Sequence, residues 1–260
     1  MADSIRYDFG EQWDEYARRA TDEDLITAQN ALAELIPVGF SPQGKSFLDI
    51  GCGSGMHSVA AARHGFLAVT AVDYYDGSVR ATKWMAARSG TQVTAFRDDI
   101  LNTKITGHFD VVYSWGVLHH TGNMLAAINN AKALVAPGGL FIISIYLKTP
   151  LCEFWKVEKR IYAMLPRFMQ AGIDYAFRGL SIALKAVDKK QEKERGMDWQ
   201  VGVRDWLGGY PYESATPEEV AKMVGNGFAL DASYHTESGP GILGTRCAEY
   251  VFRRLTVQPA

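Results

Sequence analysis

The stretch Phe47-Leu48-Asp49-Ile50-Gly51-Cys52-Gly53-Ser54-Gly55 limits the possible folds more than any other part of the chain. An apolar run with β character, Ser46 to Ile50, meets alternating glycines, and a small-residue helical stretch, Met56 to Arg63, follows. Strand, tight turn and helix in that order form a unit whose backbone can approach a nucleoside closely, because no side chains obstruct it. Dinucleotide-binding loops read G-x-G-x-x-G and aim helix N–H groups at a pyrophosphate. Met56 stands where that motif needs its last glycine, and Asp49 adds a carboxylate beside the loop. Such a carboxylate would repel a pyrophosphate but suits a cationic amino-acid end, so an NAD-dependent oxidoreductase is disfavoured.

The following block reads as a series of βαβ units. Phe66 to Val72 is a strand ending in Asp73, Asp76 to Arg88 a helix, and Gln92 to Phe96 a strand. Asp98 to Leu101 is a loop, Phe109 to Tyr113 a buried strand, and Met124 to Val135 a helix. Pro137-Gly138-Gly139 is a turn before a further strand, Leu140 to Ile145. Strands alternating with helices predict a parallel sheet with both faces covered and right-handed crossovers. Ligands of such sheets sit at the carboxyl ends of the strands, where the strand order reverses. The polar punctuation falls at those ends: Asp49 with the glycines, Asp73, Asp99, and Ser114-Trp115. Asp73, at the end of the second strand, can accept from both hydroxyls of a ribose, which supports a nucleoside without saying which one.

Composition excludes several classes. The 260 residues suit one α/β domain with an insertion, and a net charge of −2 offers no general attraction to nucleic acid or an anionic membrane. Three cysteines, far apart and odd in number, suggest neither a disulfide framework nor a zinc site. The opening residues are polar and aromatic, unlike a signal peptide, and no apolar run approaches a membrane span. A cytoplasmic location is the expectation.

Three spaced motifs carry a family resemblance over about residues 46–146. They are D-x-G-x-G-x-G at Asp49 to Gly55, the segment Phe109-Asp110-Val111-Val112-Tyr113-Ser114-Trp115-Gly116-Val117-Leu118-His119-His120, and Ala136-Pro137-Gly138-Gly139-Leu140. Together they resemble the class I S-adenosylmethionine-dependent methyltransferases, in particular small-molecule members of the ubiquinone, menaquinone and sugar type. The resemblance implies a Rossmann-like, seven-stranded, mostly parallel sheet with helices on both faces and an antiparallel last strand. It implies S-adenosyl-L-methionine as cofactor and S-adenosyl-L-homocysteine as product. Contacts are then expected from Asp49, Gly51, Gly53, Gly55, Asp73, Ser114 and Trp115. Asp99 would accept from the adenine amino group beside the Ile100 amide, with Asp98 as the adjacent alternative. Tyr74 packs on the adenine face or in the core.

The flanks supply the remaining candidates. Residues 1–45 hold an aromatic stripe at Phe9, Trp13 and Tyr16, and a second helix from Asp22 to Ile36 closed by Pro37 and Gly39. This element packs on the body or covers the cofactor, with Trp13 and Tyr16 facing in. Methyl transfer needs nucleophile, carbon and sulfur aligned and water excluded, and a hydroxyl nucleophile must lose its proton. His119 and His120 are the candidates for base or acceptor-orienting group, His119 ahead, unless both are structural. His57 and His64 read as loop packing and surface, while His235 lies in a late strand.

Metal-dependent, DNA-base-directed and protein-arginine-directed subclasses lack their motifs here, leaving a metal-independent enzyme with a small acceptor. Residues 147–215 interrupt the sheet pattern and should set specificity. Leu151, Phe154, Trp155, Ile161, Tyr162 and Leu165 form one apolar stripe; Ile173, Phe177, Leu180, Leu184 and Val187 form a heptad-like second, a helical pair or a homodimer seam. Lys189 to Arg195 reads as a solvated helix end. Trp199, Trp206, Tyr210 and Tyr212 suit stacking on a sugar or aromatic acceptor, or form a lid packed on the insertion helices. Residues 216–260 should add a helix capped by Thr216-Pro217 and two strands, Phe228 to Thr236 and Cys247 to Arg254, joined by a glycine-rich turn, Ser238 to Gly244. Trp206 to Tyr212 also looks similar to methyltransferases of bacterial polysaccharide and natural-product pathways. The expected activity is O-methylation of a sugar or phenolic hydroxyl; N- or C-methylation, and cofactor binding without catalysis, are the alternatives.

Overall fold

The computed structural model describes residues 7–185, 206–235 and 246–256. Seven strands form one sheet: β1 (Ser46–Ile50), β2 (Ala68–Asp73), β3 (Thr94–Arg97), β4 (Phe109–Trp115), β5 (Val135–Tyr146), β6 (Phe228–Tyr234) and β7 (Cys247–Arg254). Their order is β3-β2-β1-β4-β5-β7-β6. The first five run parallel, and β7 is antiparallel to both β5 and β6. The chain order reverses between β1 and β4, which opens a crevice at their carboxyl ends. This is the Rossmann-like sheet expected from the sequence, with its antiparallel last strand.

Side-chain parity along the strands divides the core into two layers. Phe47, Val111, Leu140 and Ile142 meet Leu32 and Leu35 of α2 (Asp22–Leu35) and Ala60 and Ala61 of α3 (Met56–Arg63). Leu48, Val112, Phe141 and Ile143 meet Ala127, Ile128 and Ala131 of α5 (Met124–Ala133) and Val220 and Val224 of the last helix, α8 (Pro217–Val224). Strands buried on both faces need continuous apolar sequence, which is why these runs do not alternate. Thr21 and Thr216 each close a capping box, with Asp24 and Glu219, and so fix where α2 and α8 begin.

Two short helices set the geometry near the crevice. α1 (Gly10–Arg19) crosses α4 (Asp76–Arg88) with its backbone almost touching: a Cβ on Gly77 would lie 2.5 Å from the Gly10 carbonyl. Glycine on both sides is what lets the N-terminal helix settle this low.

Several element edges differ from the sequence reading. β2 begins at Ala68 because Phe66 makes only an isolated bridge to Gln43, and β3 begins at Thr94 rather than Gln92. α5 stops at Ala133 because Val135 already pairs with Phe109. The Pro137-Gly138-Gly139 turn is looped out within β5: pairing moves from Phe109–Val135 to Val111–Leu140, two residues on one strand against five on the other. β6 ends at Tyr234.

The insertion contains α6 (Cys152–Met164) and α7 (Arg167–Lys185). The predicted stripe on α6 does not face one way, since Trp155 and Tyr162 are buried whereas Phe154 and Ile161 are 60% and 55% exposed. Ile173 and Phe177 pack on Tyr162 and Leu207, and Leu180 is exposed. The rest of the heptad-like run beyond α7, the Lys189–Arg195 run and the Ser238–Gly244 turn lie outside the described residues.

Helix propensity alone favours alanine over glycine by up to about 1 kcal/mol. Gly77→Ala should nevertheless lower the unfolding free energy by about 1–3 kcal/mol through overpacking against Gly10. A lower urea midpoint at unchanged slope is the expected result, and a raised midpoint would show that the two helices are not in contact.

Candidate active site

The glycine loop is strapped to the tip of β2. The amides of Gly51 and Cys52 both donate to the Val72 carbonyl, at 2.7 and 3.1 Å. The Asp73 carboxylate then takes the Gly53 amide on Oδ2 at 3.0 Å and the Tyr75 amide on Oδ1 at 2.9 Å. Gly55 has φ +84°, and a Cβ there would sit 2.6 Å from the Thr82 Cα, so glycine is required where α3 begins against α4. Burial pushes Asp73 up to about 6, against the pull of the Tyr75 and Gly53 amides.

Most of the predicted contacts converge here. Gly51, Gly53, Asp73, Tyr74, Asp99, Ile100, Trp115 and Trp13 all line one cleft, as does Asp98. The Trp13 ring lies over the loop, 3.3 Å from where a Gly53 Cβ would be. Asp98 accepts from the Thr103 hydroxyl at 2.5 Å and Asp99 from the Leu101 amide at 3.0 Å, so both are held while facing the cleft. The Arg97 guanidinium lies 5.5 Å from the centre of the half-exposed Tyr74 ring. The Trp115 indole N–H donates to Glu249 on β7 at 2.5 Å, which fixes the ring at the cleft floor.

Four expected contacts are corrected. Gly55 does not line the cleft: it sits against Thr82 of α4, where its positive φ opens α3. Asp49 does not face the cleft: it is 2% exposed and accepts the Ser58 hydroxyl at 2.5 Å beneath the loop. Burial pushes it up to about 7, opposed by the Ser58 bond and helped by the nearby Asp73 charge. Ser114 is wholly buried and donates to the Ile50 carbonyl at 2.9 Å, tying β4 to β1 inside the sheet. Tyr16 is buried with Met56 and Met85 under α1, one helical turn away from the face that Trp13 presents.

The histidine pair divides in the opposite sense to the expectation. His119 is fully buried outside the cleft, its ring 4.0 Å from Tyr146 and 4.3 Å from His120, and neither nitrogen makes a well-formed hydrogen bond. Burial, aided by His120, holds it well below the usual imidazole range. His120 lines the cleft, with its Nδ1 2.8 Å from the Pro211 carbonyl. A carbonyl only accepts, so Nδ1 carries the proton and Nε2 the lone pair. Burial pushes His120 down to about 4, the Pro211 and Gly209 carbonyls acting against it and the Lys159 charge with it.

The insertion aromatics form a wall behind this pair rather than part of the cleft lining. Trp206, Tyr212, Tyr146 and Trp155 pack edge to face, and the Tyr212 hydroxyl donates to Cys152 Sγ at 3.3 Å. Tyr210 is buried and its carbonyl accepts from the Tyr7 amide. Trp199 lies outside the described residues, and His235 is exposed beyond β6. Phe9, Tyr75 and His57 line the cleft without having been singled out as contacts. Phe9 was visible as the first member of the aromatic stripe; Tyr75 is placed by its amide bond to Asp73. Among the described residues no three His, Cys, Asp or Glu side chains converge as a metal site, and no helix is long and apolar enough to cross a membrane.

The raised carboxyls tie stability to pH. Native Asp49 and Asp73 hold their protons above the unfolded value near 3.8, up to about 7 and about 6. Their contribution is complete below about pH 4 and is lost as pH rises through about 7. Asp49→Asn should flatten that decline, by on the order of a few kcal/mol, in urea titrations of the ligand-free protein between pH 4 and 8. Parallel pH curves for the two proteins would show that Asp49 ionises normally.

Comparison with known proteins agrees with this geometry. The chain is 34% identical over 110 residues to a ubiquinone biosynthesis O-methyltransferase of a Caulobacter species, covering 41% of this chain and 43% of that one. It is 32% identical over 138 residues to the protein of that name from Psychrobacter arcticus, covering 51% and 52%. The chain thus matches about half the length of these curated relatives. Among solved structures, a magnesium protoporphyrin IX methyltransferase from Synechocystis with bound S-adenosylhomocysteine superposes with TM-score 0.54 at 19% identity, covering 88% and 83%. An O-methyltransferase family protein from Burkholderia thailandensis gives 0.56 at 15% identity, covering 90% and 58%. At such identities these two likenesses speak for the fold. A family model described as a methyltransferase domain matches residues 18–209, nearly three quarters of the sequence, and the chain belongs to that family.

Proposed function

We propose that the protein transfers a methyl group from S-adenosyl-L-methionine to a hydroxyl of a small acceptor with an aromatic body, a phenol in the simplest case. The observation that carries this reading is His120, an uncharged imidazole on the same cleft as the Asp73 carboxylate. Support for the cofactor comes from the chemistry of the lining. Asp73, Asp98 and Asp99 face the cleft and no Lys or Arg does among the described residues, which suits a cationic nucleoside better than a pyrophosphate. Asp73 would take the ribose hydroxyls, Gly51 and Gly53 leave the backbone bare beside them, and Asp99 with Ile100 would meet the adenine edge. Bound there, the cofactor supplies an electrophilic methyl carbon on positively charged sulfur.

The chain's own residues then do three things. Trp13 and Phe9 cover the loop and exclude water; Trp115 and Val117 give the floor an apolar surface. Flat rings around the opening suit an aromatic acceptor more than a sugar, whose many hydroxyls would need more polar partners than these. The Nε2 lone pair of His120 orients the acceptor hydroxyl and receives its proton. An imidazole this weakly basic suffices, because the acceptor oxygen becomes strongly acidic as its new bond to carbon forms. The names of the curated relatives, O-methyltransferases of ubiquinone biosynthesis, point the same way.

Calorimetry with S-adenosylhomocysteine and with NAD separates a methyltransferase from an oxidoreductase: the first should bind and the second should not. Asp73→Ala should weaken S-adenosylhomocysteine by about 2 kcal/mol, roughly thirtyfold, and unchanged affinity would place the ribose elsewhere. Methyl transfer to a panel of catechols, phenols and glycosides, followed by mass spectrometry, tests the acceptor. His120→Ala should reduce kcat by about a hundredfold or more. At saturating cofactor the wild-type kcat should be level above about pH 5 and fall toward pH 4, as Nε2 becomes protonated. A His120→Ala enzyme with full turnover across that range would end its assignment as base.

A further inference from the structure

A buried cation behind the cleft has no part in the reaction as described. Lys159 on α6 is 0% exposed, and its ammonium lies 3.4 Å from the centre of the Trp206 ring, 5.5 Å from Tyr212 and 5.7 Å from Trp155. It also donates to the Trp206 carbonyl, while the Glu158 carboxylate stands 3.9 Å away. An ammonium is costly to bury, and ring faces with a carbonyl are a specific arrangement for keeping it. The residue it grips opens a short segment, residues 206–213, that touches the site at successive points. The Pro211 carbonyl receives His120 Nδ1, the Glu213 amide donates to the His119 carbonyl at 3.0 Å, and the Glu213 carboxylate caps α5 at the Met124 amide at 2.8 Å. Gly208 lies so close to Tyr7 that a Cβ would come within 2.7 Å of its ring.

We propose that Lys159 is a positioning residue for the site: by clamping Trp206 it fixes the 206–213 segment, and through the Pro211 carbonyl it sets the tautomer and orientation of His120. Its charge has a second effect in the same direction. A fixed cation behind the imidazole disfavours a second positive charge, so His120 stays uncharged and keeps its lone pair available. The other titratable groups around His120 are His119 beside it, Tyr146 on β5, and Asp73, Asp98, Asp99, His57, Cys52, Tyr74 and Tyr75 in the shared cleft. The inference rests on His120 being the group that meets the acceptor, but its test needs no acceptor.

Histidine imidazole resonances are followed by NMR against pH in the free protein, with His120 assigned from His120→Gln. The wild-type His120 should remain uncharged down to about pH 5. In Lys159→Met, which keeps the length of the chain, its midpoint should rise measurably above the wild-type value. Lys159→Gln should also raise it while retaining a bond to the Trp206 carbonyl, and Lys159→Arg should stay near wild type. Binding of S-adenosylhomocysteine within about threefold of wild type certifies that each variant is folded. An unmoved His120 midpoint in both neutral variants would overturn the proposal even if their stability fell. Should neither neutral variant fold, amide exchange in the wild-type chain decides: the Glu213 amide should be protected as well as those of α5, and exchange at loop rates would reject the clamp. Loss of methyl transfer with these titrations as expected would count against the proposed reaction, not against Lys159.

Discussion

The architecture of the crevice depends on one carboxylate holding two backbone amides at once. Asp73 at the tip of β2 receives the Gly53 amide from the first βα turn and the Tyr75 amide from the next. Without it the glycine loop would have charge-free orphan donors beside a cleft, and the start of α4 would lose its anchor. The amides are bonds to an anion and so stronger than ordinary ones, yet burial lifts the carboxyl to about 6. The group is therefore kept close to the point at which it would stop being an anion. A ligand that donates hydroxyls to the same carboxylate would relieve that tension, which makes ligand binding and loop order parts of one equilibrium.

Much of this was legible in the sequence because it follows from backbone rules. Alternating glycines after an apolar strand, acids at strand ends and regular helix spacing fixed the sheet, its switch point and the place of the cleft. Side-chain direction was harder to read. Asp49 and Asp73 look equivalent on paper, but Asp49 is inside β1, where parity points it at Ser58, while Asp73 closes its strand. Ser114 fails for the same reason, its hydroxyl being spent on the Ile50 carbonyl. Tyr16 and Trp13 sit one turn apart on α1, and only the crossing with α4 decides which of them overlooks the loop. The His119–His120 pair is similar: a tight turn puts one ring in the core and its neighbour in the cleft.

The wall behind the two histidines owes most to long-range contacts, which no local pattern encodes. Trp206 and Tyr212 advertise themselves as aromatic, and the sequence invites a reading as stacking surface. In the fold they enclose the Lys159 ammonium, and it is Pro211, between them in the chain, whose carbonyl meets His120. Lys159 is unremarkable in sequence, one cation in a helix of mixed charge, and nothing within α6 distinguishes it from Lys156. Its burial arises only when residues some fifty positions later fold over it.

The displaced pairing in β6 also bears on how the molecule behaves among its own copies. β6 is a terminal strand of the sheet, and the register with β7 slips between Leu230 and Ala232, leaving Asp231 out of the ladder and paired with Arg253 at 2.6 Å. A kinked margin bearing an acid is a poor template for another chain's amides. At the opposite margin β3 offers only four residues. Both open ends of the sheet are thus blunted against runaway fibre growth, and crowding in solution would find no straight ribbon to extend.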